Sequence, residues 1–127
     1  MSKTIVVIDD ETEMEYLYKM MIEPLSTNAD IKIIFFSNPE DFFEWNSQSE
    51  HYDLLITDIN LPKISGIEIA HRMRTHGQKL PIYFISGFDE RDYLKELKEL
   101  HPYRYLPKPI NFEEILSSLK LDLGIKN

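Results

Sequence analysis

Five polar residues that could carry chemistry follow short apolar runs of the chain. Asp9 and Asp10 come directly after the first run, Asp58 ends the third, Ser86 follows the fourth, and Lys108 follows the fifth. Short apolar runs bounded by turn residues are typical of buried strands in a parallel sheet. Because parallel strands end on one edge of the sheet, where open α/β sheets bind their ligands, we expect these side chains to meet in one site.

The chemistry that these residue types favour is phosphoryl transfer. Three carboxylates placed together repel one another unless a cation joins them, and oxygen ligands with positions left for water suit Mg²⁺. The ammonium of Lys108 adds a second positive charge, which leaves room beside Asp58 for an anion with strong acceptor oxygens. Phosphoryl transfer needs mainly cationic charge around the phosphorus and an in-line nucleophile, and a carboxylate can be that nucleophile.

The elements that must position these residues alternate along the chain. Strands are predicted over 5–8, 31–36, 54–56, 81–85 and 103–106, where β-branched and other apolar residues dominate. Between the strands, apolar residues recur three or four positions apart, which is the spacing of amphipathic helices. Strict alternation with short loops predicts an α/β fold in which helices cover both faces of a parallel sheet.

Local signals predict where several helices begin. Thr12 followed by Glu15 has the spacing of a capping box and predicts the start of the first helix. Gly66 is expected in a turn before the third helix. Asn111, with Glu114 three positions later, predicts the cap of the fifth helix.

The fourth helix is predicted over residues 89–100. This run is highly charged, and it carries Leu94, Leu97 and Leu100, which we expect on one side of the helix. His101 and Pro102 end it, because the residue before a proline is biased away from the helical conformation.

Composition limits the classes of function. The 127 residues include 22 acidic and 14 basic residues, which gives a net charge of −8 and disfavours direct binding of nucleic acid. With 43% hydrophobic residues the chain can bury one core. Cysteine is absent from the sequence, so disulfides and thiolate metal sites are excluded. The apolar N-terminal run is too short for a signal peptide or a membrane span, and we therefore expect a soluble cytoplasmic protein without membrane contacts.

Taken in order, these residues resemble the receiver domain of two-component response regulators. The matching positions, which are spread over the whole chain, are Asp9, Asp10, Asp58, Gly66, Ser86, Tyr105 and Lys108. Each fragment alone is common, but all of them at the proper strand ends form a specific pattern. The resemblance implies a five-stranded, doubly wound, flavodoxin-like sheet of order 2-1-3-4-5 and a single receiver domain over residues 1–127.

The resemblance also implies site roles and a Mg²⁺ cofactor. Asp58 looks like the phosphoacceptor and a metal ligand. Asp10 would bind Mg²⁺ directly, Asp9 partly through water, and the backbone carbonyl of Asn60 would complete the protein ligands. Lys108 would contact a phosphoryl oxygen opposite the metal.

Two further residues would switch the protein after phosphorylation. Ser86 would reach the phosphoryl group through its hydroxyl. Tyr105 would move inward with it and change the face formed by the fourth helix, the fifth strand and the fifth helix. Asn60 and Phe88 flank the path that an attacking water takes in this family, and we expect the bulky Phe88 to slow hydrolysis. His101 and Pro102 replace the usual Gly-Ala and could reshape the switching face.

The function that the resemblance implies is a stand-alone, chemotaxis-regulator-like switch or relay intermediate. Its phosphodonor would be a histidine kinase or histidine phosphotransferase, and its output would pass to an unidentified downstream protein. The chain is expected to be a monomer or a phosphorylation-dependent dimer, and not an enzyme beyond its own phosphorylation and dephosphorylation.

Two alternatives remain open at the level of sequence. A degenerate receiver would only dock partners, which the intact set of site residues disfavours. An aspartate-nucleophile phosphatase would use Asp9 with Glu11 as general acid two residues later, but it would leave Asp58 unexplained.

Overall fold

Five strands alternate with five α-helices in the computed structural model, which describes residues 2–27, 29–48 and 50–125. The strands are β1 (Ser2–Ile8), β2 (Asp30–Phe36), β3 (Leu54–Asp58), β4 (Ile82–Ser86) and β5 (Tyr103–Pro107). The helices are α1 (Met14–Ile22), α2 (Pro39–Asn46), α3 (Gly66–Thr75), α4 (Leu94–Leu97) and α5 (Phe112–Leu123). Two 3₁₀ turns, Glu23–Thr27 and Glu90–Tyr93, follow α1 and precede α4. Both ends of the predicted range 1–127 lie outside the described residues.

All five strands are parallel and form one sheet in the order β2-β1-β3-β4-β5. The predicted fold class and strand order are therefore confirmed. Every residue of β3 and β4 is buried, as expected for central strands that have helices on both sides.

The strands divide their side chains between two cores because successive residues point to opposite faces. One core contains residues of α1 and α5 packed on side chains such as Val7, Ile56 and Ile85. The other contains residues of α2, α3 and α4 packed on side chains such as Val6 and Leu55. None of the helices in the described residues combines the length and the apolar character that crossing a bilayer requires.

The N-terminal cap of α5 was predicted correctly, and that of α1 was predicted wrongly. Asn111 accepts a hydrogen bond from the N–H of Glu114, so the cap of α5 is confirmed. The capping box at Thr12 is wrong, because α1 begins two residues later, at Met14. Thr12 instead accepts the N–H of Glu15 through its backbone carbonyl, within a preceding turn.

The long fourth helix is also wrong, since a 3₁₀ turn and the single turn of α4 occupy this region. Leu97 and Leu100 are buried, but Leu94 is 51% exposed. Leu100 lies beyond the end of α4, in a turn in which its N–H donates to the carbonyl of Leu97 at 2.9 Å. Helical spacing therefore does not decide its position.

Candidate functional site

Asp58 lies at the carboxyl end of β3 and is only 3% exposed. Its Oδ1 atom accepts the backbone N–H of Asn60 at 2.9 Å, and its Oδ2 atom accepts the ammonium of Lys108 at 2.6 Å. Thr57, the preceding residue, donates its hydroxyl to the backbone carbonyl of Asp58 at 3.0 Å. Hydrogen bonds therefore fix both the side chain and the backbone carbonyl of Asp58.

Gly66 allows the first turn of α3 to pack directly against Asp58. A Cβ atom at position 66 would lie 2.4 Å from the backbone oxygen of Asp58, a distance that real Cβ contacts do not reach. The N–H of Gly66 also donates to the carbonyl of Ile59 at 2.9 Å. The expectation that Gly66 lies in a turn is corrected: it is the first residue of α3, behind the N-cap residue Ser65. A Ser-Gly pair ahead of an apolar helical run was the sequence signal.

Three carboxylates converge at this end of the sheet. One oxygen each from Asp9, Asp10 and Asp58 lies within 4.8 Å of the others. Asp9 is 3% exposed, whereas Asp10 is exposed, so the cluster opens to solvent on one side. Hard carboxylate oxygens with a solvent-facing side are the donor set that Mg²⁺ prefers, so these residues fit that ion.

The charge of the cluster is costly without a cation. Burial is the main cause that raises the pKa of Asp9 to about 6, and the negative charge of Asp58 raises it further. The N–H of Glu11, which donates to Oδ1 of Asp9 at 2.9 Å, lowers the same pKa and offsets part of the effect. A bound cation would remove this repulsion.

Lys108 supplies the positive charge on the other side of Asp58. Its backbone N–H donates to the carbonyl of Ser86 at 2.8 Å, which fixes the residue beyond the end of β5. Partial burial opposes the charge of Lys108, but the hydrogen bond and the charge of Asp58 outweigh it and raise the pKa of the ammonium above its usual value. The lysine therefore stays protonated beside the carboxylate at neutral pH.

Ser86 and Tyr105 are connected through the backbone of one residue. The hydroxyl oxygen of Ser86, which is fully buried, accepts the N–H of Phe88 at 3.0 Å. The phenol of Tyr105 donates to the carbonyl of Phe88 at 2.8 Å. The side chain of Phe88 is 55% exposed. Two hydrogen bonds thus link the end of β4 to the β5 surface.

The structure places the predicted site residues in two groups. Asp9, Asp10 and Asp58 form the acidic cluster, and Asn60 and Lys108 bind Asp58 directly. The remaining three, Ser86, Phe88 and Tyr105, form the linked set described above. The roles of these residues in catalysis, metal binding and switching stay predictions. Thr57 was missed, because a threonine within a buried strand carries no signal of its own.

Curated relatives of the chain are named as transcriptional regulatory proteins, as a response regulator and as a phosphotransferase. The chain is 31% identical over 121 residues to the transcriptional regulatory protein PcoR of Escherichia coli, and the match covers 94% of this chain and 50% of PcoR. It is 31% identical over 78 residues to the sporulation initiation phosphotransferase F of Bacillus subtilis, covering 61% of this chain and 63% of that protein. The chain spans about half the length of most of these relatives, such as PcoR.

Solved structures of receivers have the same fold. The response regulator TrrA from Thermotoga maritima, in complex with Mg²⁺-BeF, is 27% identical with a TM-score of 0.77, and the match covers 94% of this chain and 97% of TrrA. A receiver domain protein from Clostridium thermocellum superposes with a TM-score of 0.80 at 22% identity, covering 96% and 94% of the two chains.

The sequence profile described as the response regulator receiver domain matches residues 5–120. That range includes the acidic cluster, Ser86, Tyr105 and Lys108, together with all five strands but for the start of β1. The chain belongs to the receiver domain family of two-component response regulators.

Proposed function

We propose that this chain is a phosphorylation-controlled switch in which Asp58 accepts a phosphoryl group from a phosphohistidine. The observation that carries the proposal is the 2.6 Å contact between the Lys108 ammonium and Oδ2 of Asp58, beside two further carboxylates. A buried nucleophile next to a fixed cation is the arrangement that phosphoryl transfer needs. A single receiver domain is proposed to span the chain.

In the transfer step a carboxylate oxygen of Asp58 attacks the phosphorus of the donor. The new O–P bond forms while the bond from phosphorus to the donor imidazole nitrogen breaks, and the electron pair of that bond stays on the nitrogen. Lys108 exchanges its contact with the carboxylate for a contact with a phosphoryl oxygen, so its charge stabilises the transferred group.

Asp9, Asp10, Asp58 and Asn60 are the residues that would hold Mg²⁺. The ion would neutralise negative charge on the phosphoryl oxygens and on the cluster. The relative TrrA was solved in complex with Mg²⁺ and a beryllium fluoride that resembles a phosphoryl group, which supports this assignment. Of the carboxylates, the exposed Asp10 is best placed to exchange water for metal.

The switch follows from the bonding of Ser86. Its hydroxyl oxygen accepts the N–H of Phe88, which leaves the hydroxyl hydrogen available to donate to a phosphoryl oxygen. A phosphoryl group favours the arrangement that gives its oxygens this extra donor, and the equilibrium shifts toward that arrangement. Tyr105, tied to the same Phe88, would carry the change to the surface of α4, β5 and α5.

For the phosphodonor and the output partner we propose classes of protein. The phosphodonor is a histidine kinase or a histidine phosphotransferase, and the second is the more natural partner of a relay intermediate. The similarity to sporulation initiation phosphotransferase F supports the hypothesis that this chain is a relay intermediate, because that name describes a protein that transfers a phosphoryl group. The net charge of −8 supports a protein partner rather than nucleic acid for the output of this domain.

The test is intact mass after incubation with acetyl phosphate. Wild-type protein with Mg²⁺ should gain the mass of one phosphoryl group. Asp58→Asn should gain nothing while keeping its fold by circular dichroism, and wild type with a chelator in place of Mg²⁺ should gain little. Equal labelling of wild type and Asp58→Asn would refute the proposal.

A further inference from the structure

Thr57 is a polar residue in apolar surroundings near the end of β3. Its side chain is fully buried, and its register partners on the neighbouring strands are Ile8 and Phe84, which belong to the core that contains residues of α2, α3 and α4. A buried hydroxyl costs free energy unless it is hydrogen-bonded, and valine has nearly the same shape without that cost. Packing alone therefore does not account for a threonine at this position.

The two branches of the Thr57 side chain have different contacts. The hydroxyl donates to the backbone carbonyl of Asp58 at 3.0 Å. The methyl group lies toward the start of α3, since a Cβ atom added at Gly66 would be 3.0 Å from it. The same added atom would press on the Asp58 carbonyl oxygen. Thr57 therefore contacts the place where α3 packs against Asp58 with both of its branches.

The Asp58 carbonyl belongs to the peptide group that leads toward Asn60. The N–H of Asn60 donates to Oδ1 of Asp58 at 2.9 Å, so the chain folds back on the carboxylate within two residues. Because a peptide group is planar and rigid, the direction of the Asp58 carbonyl helps to set the direction of the backbone that follows it. The Thr57 hydroxyl therefore acts on the carboxylate through the backbone of residues 58–60.

We propose that Thr57 is a positioning residue, whose hydroxyl aligns the Asp58 carboxylate for attack on the phosphoryl donor. The inference rests on the proposed function and adds a residue to its site. Thr57 orients the peptide group after Asp58, and the Asn60 N–H and the Lys108 ammonium then hold one carboxylate oxygen each. In-line transfer depends on such alignment of the nucleophile.

Three variants separate the hydroxyl of Thr57 from its methyl group. Thr57→Val removes the hydroxyl, Thr57→Ser removes the methyl group, and Thr57→Ala removes both. Intact mass measures the rate of labelling by acetyl phosphate with Mg²⁺, and circular dichroism checks that each protein is folded. Thr57→Val should be labelled roughly 2- to 10-fold more slowly than wild type, the factor that corresponds to one ordinary hydrogen bond. Thr57→Ala should be slower than Thr57→Ser by a similar factor.

The serine variant distinguishes positioning from a role in stability alone. Thr57→Ser loses the methyl group that lies at the start of α3, so its unfolding midpoint in urea should fall below that of wild type. Its labelling rate should nevertheless stay close to that of wild type. A rate for Thr57→Ser as low as that for Thr57→Val would overturn the proposal, as would equal rates for wild type and Thr57→Val. If Thr57→Val does not fold, equal rates for the serine and alanine variants would have the same consequence.

Thr75→Val is the matched control. It removes another threonine hydroxyl that donates to a backbone carbonyl, that of His71 at 2.9 Å, at the opposite end of α3 from Gly66. Its labelling rate should equal that of wild type. A loss of rate as large as in Thr57→Val would show that the effect is not specific to the Asp58 carbonyl.

A second measurement does not require phosphorylation. The bond to Oδ1 of Asp58 should slow exchange of the Asn60 amide proton with solvent, which ¹H–¹⁵N spectra follow. Exchange should be faster in Thr57→Val and Thr57→Ala than in wild type and Thr57→Ser. Equal exchange in all four proteins would overturn the alignment. A wild type that gains no phosphoryl group would instead refute the proposed function, and amide exchange would then test the alignment by itself.

Discussion

The Lys108 ammonium lies 2.6 Å from Oδ2 of Asp58, although the two residues are 50 positions apart and β4 separates their strands. Asp58 is 3% exposed, whereas the lysine side chain is 39% exposed. The pair therefore joins a buried nucleophile to a cation that can still reach an incoming anion.

Lys108→Ala should weaken both the fold and the transfer reaction. In the absence of Mg²⁺, this variant removes the ammonium that pairs with the buried carboxylate of Asp58, which then lies beside the negative charge of Asp9. The free energy of unfolding should fall by about 1–2 kcal/mol, less than for a fully buried pair because the lysine is partly solvated. Labelling by acetyl phosphate should slow at least about tenfold.

Lys19→Ala is the control for Lys108→Ala, since it breaks an exposed ion pair with Glu15. It should cost about 0.5 kcal/mol or less in urea denaturation and leave labelling unchanged. If the two variants behave alike in both assays, Lys108 has neither role.

Gly66→Ala should be strongly destabilising, because its Cβ atom would press on the backbone oxygen of Asp58 and not on a flexible side chain. We expect a loss of about 2 kcal/mol or more in urea denaturation. Gly87→Ala is the matched control, since a Cβ atom there meets no atom of the described residues within 4 Å. Equal unfolding midpoints for the two variants would contradict the close packing of α3 on β3.

Asp122 should make stability depend on acid pH. Burial opposes its charge, but hydrogen bonds from Arg104 and Tyr83 outweigh burial and hold the pKa of Asp122 below its usual 3.8. Because the folded state favours the ionised carboxylate, this contribution is present above about pH 4 and is lost as pH falls through the lower folded pKa.

Asp122→Asn should therefore cost about 1–2 kcal/mol at pH 7 and clearly less at pH 3. Chemical denaturation at several pH values measures the difference between the variant and wild type. A difference that stays constant from pH 7 to pH 3 would show that ionisation of Asp122 does not stabilise the fold.

Phe88→Ala should shorten the lifetime of the aspartyl phosphate. Both backbone groups of Phe88 are bonded, so removing its exposed ring leaves the link between Ser86 and Tyr105 in place. Water should then reach the phosphoryl group beside Asn60 more easily. Dephosphorylation after removal of acetyl phosphate measures the effect, with Leu94→Ala as a similarly exposed apolar control. An unchanged or slower rate in Phe88→Ala would reject the role of the ring.

The sheet and the position of the site were predictable because both depend on local pattern. The apolar run before Asp58 predicts a buried strand, and a parallel sheet then brings Asp9, Asp58 and Lys108 to one edge. The cap at Asn111 was likewise predictable from a short range of sequence. These features require no knowledge of how loops fold.

The features that could not be predicted depend on contacts between distant residues. The charge pattern of 89–100 fits a helix, but Asp89 accepts the N–H of Arg91 and begins a tighter 3₁₀ turn. Tyr103 then binds Glu90 from a different strand. The close approach of Gly66 to Asp58 similarly depends on how α3 docks, which no local signal encodes.

The central claim is that Asp58 is the residue that receives the phosphoryl group. Borohydride reduces an aspartyl phosphate to homoserine, so peptide mapping after acetyl phosphate and Mg²⁺ treatment identifies the modified position. Our account predicts homoserine at position 58 in the wild type and at no aspartate in Asp58→Asn. Homoserine at position 9 or 10, or an unmodified Asp58 in protein whose mass has increased, would contradict it.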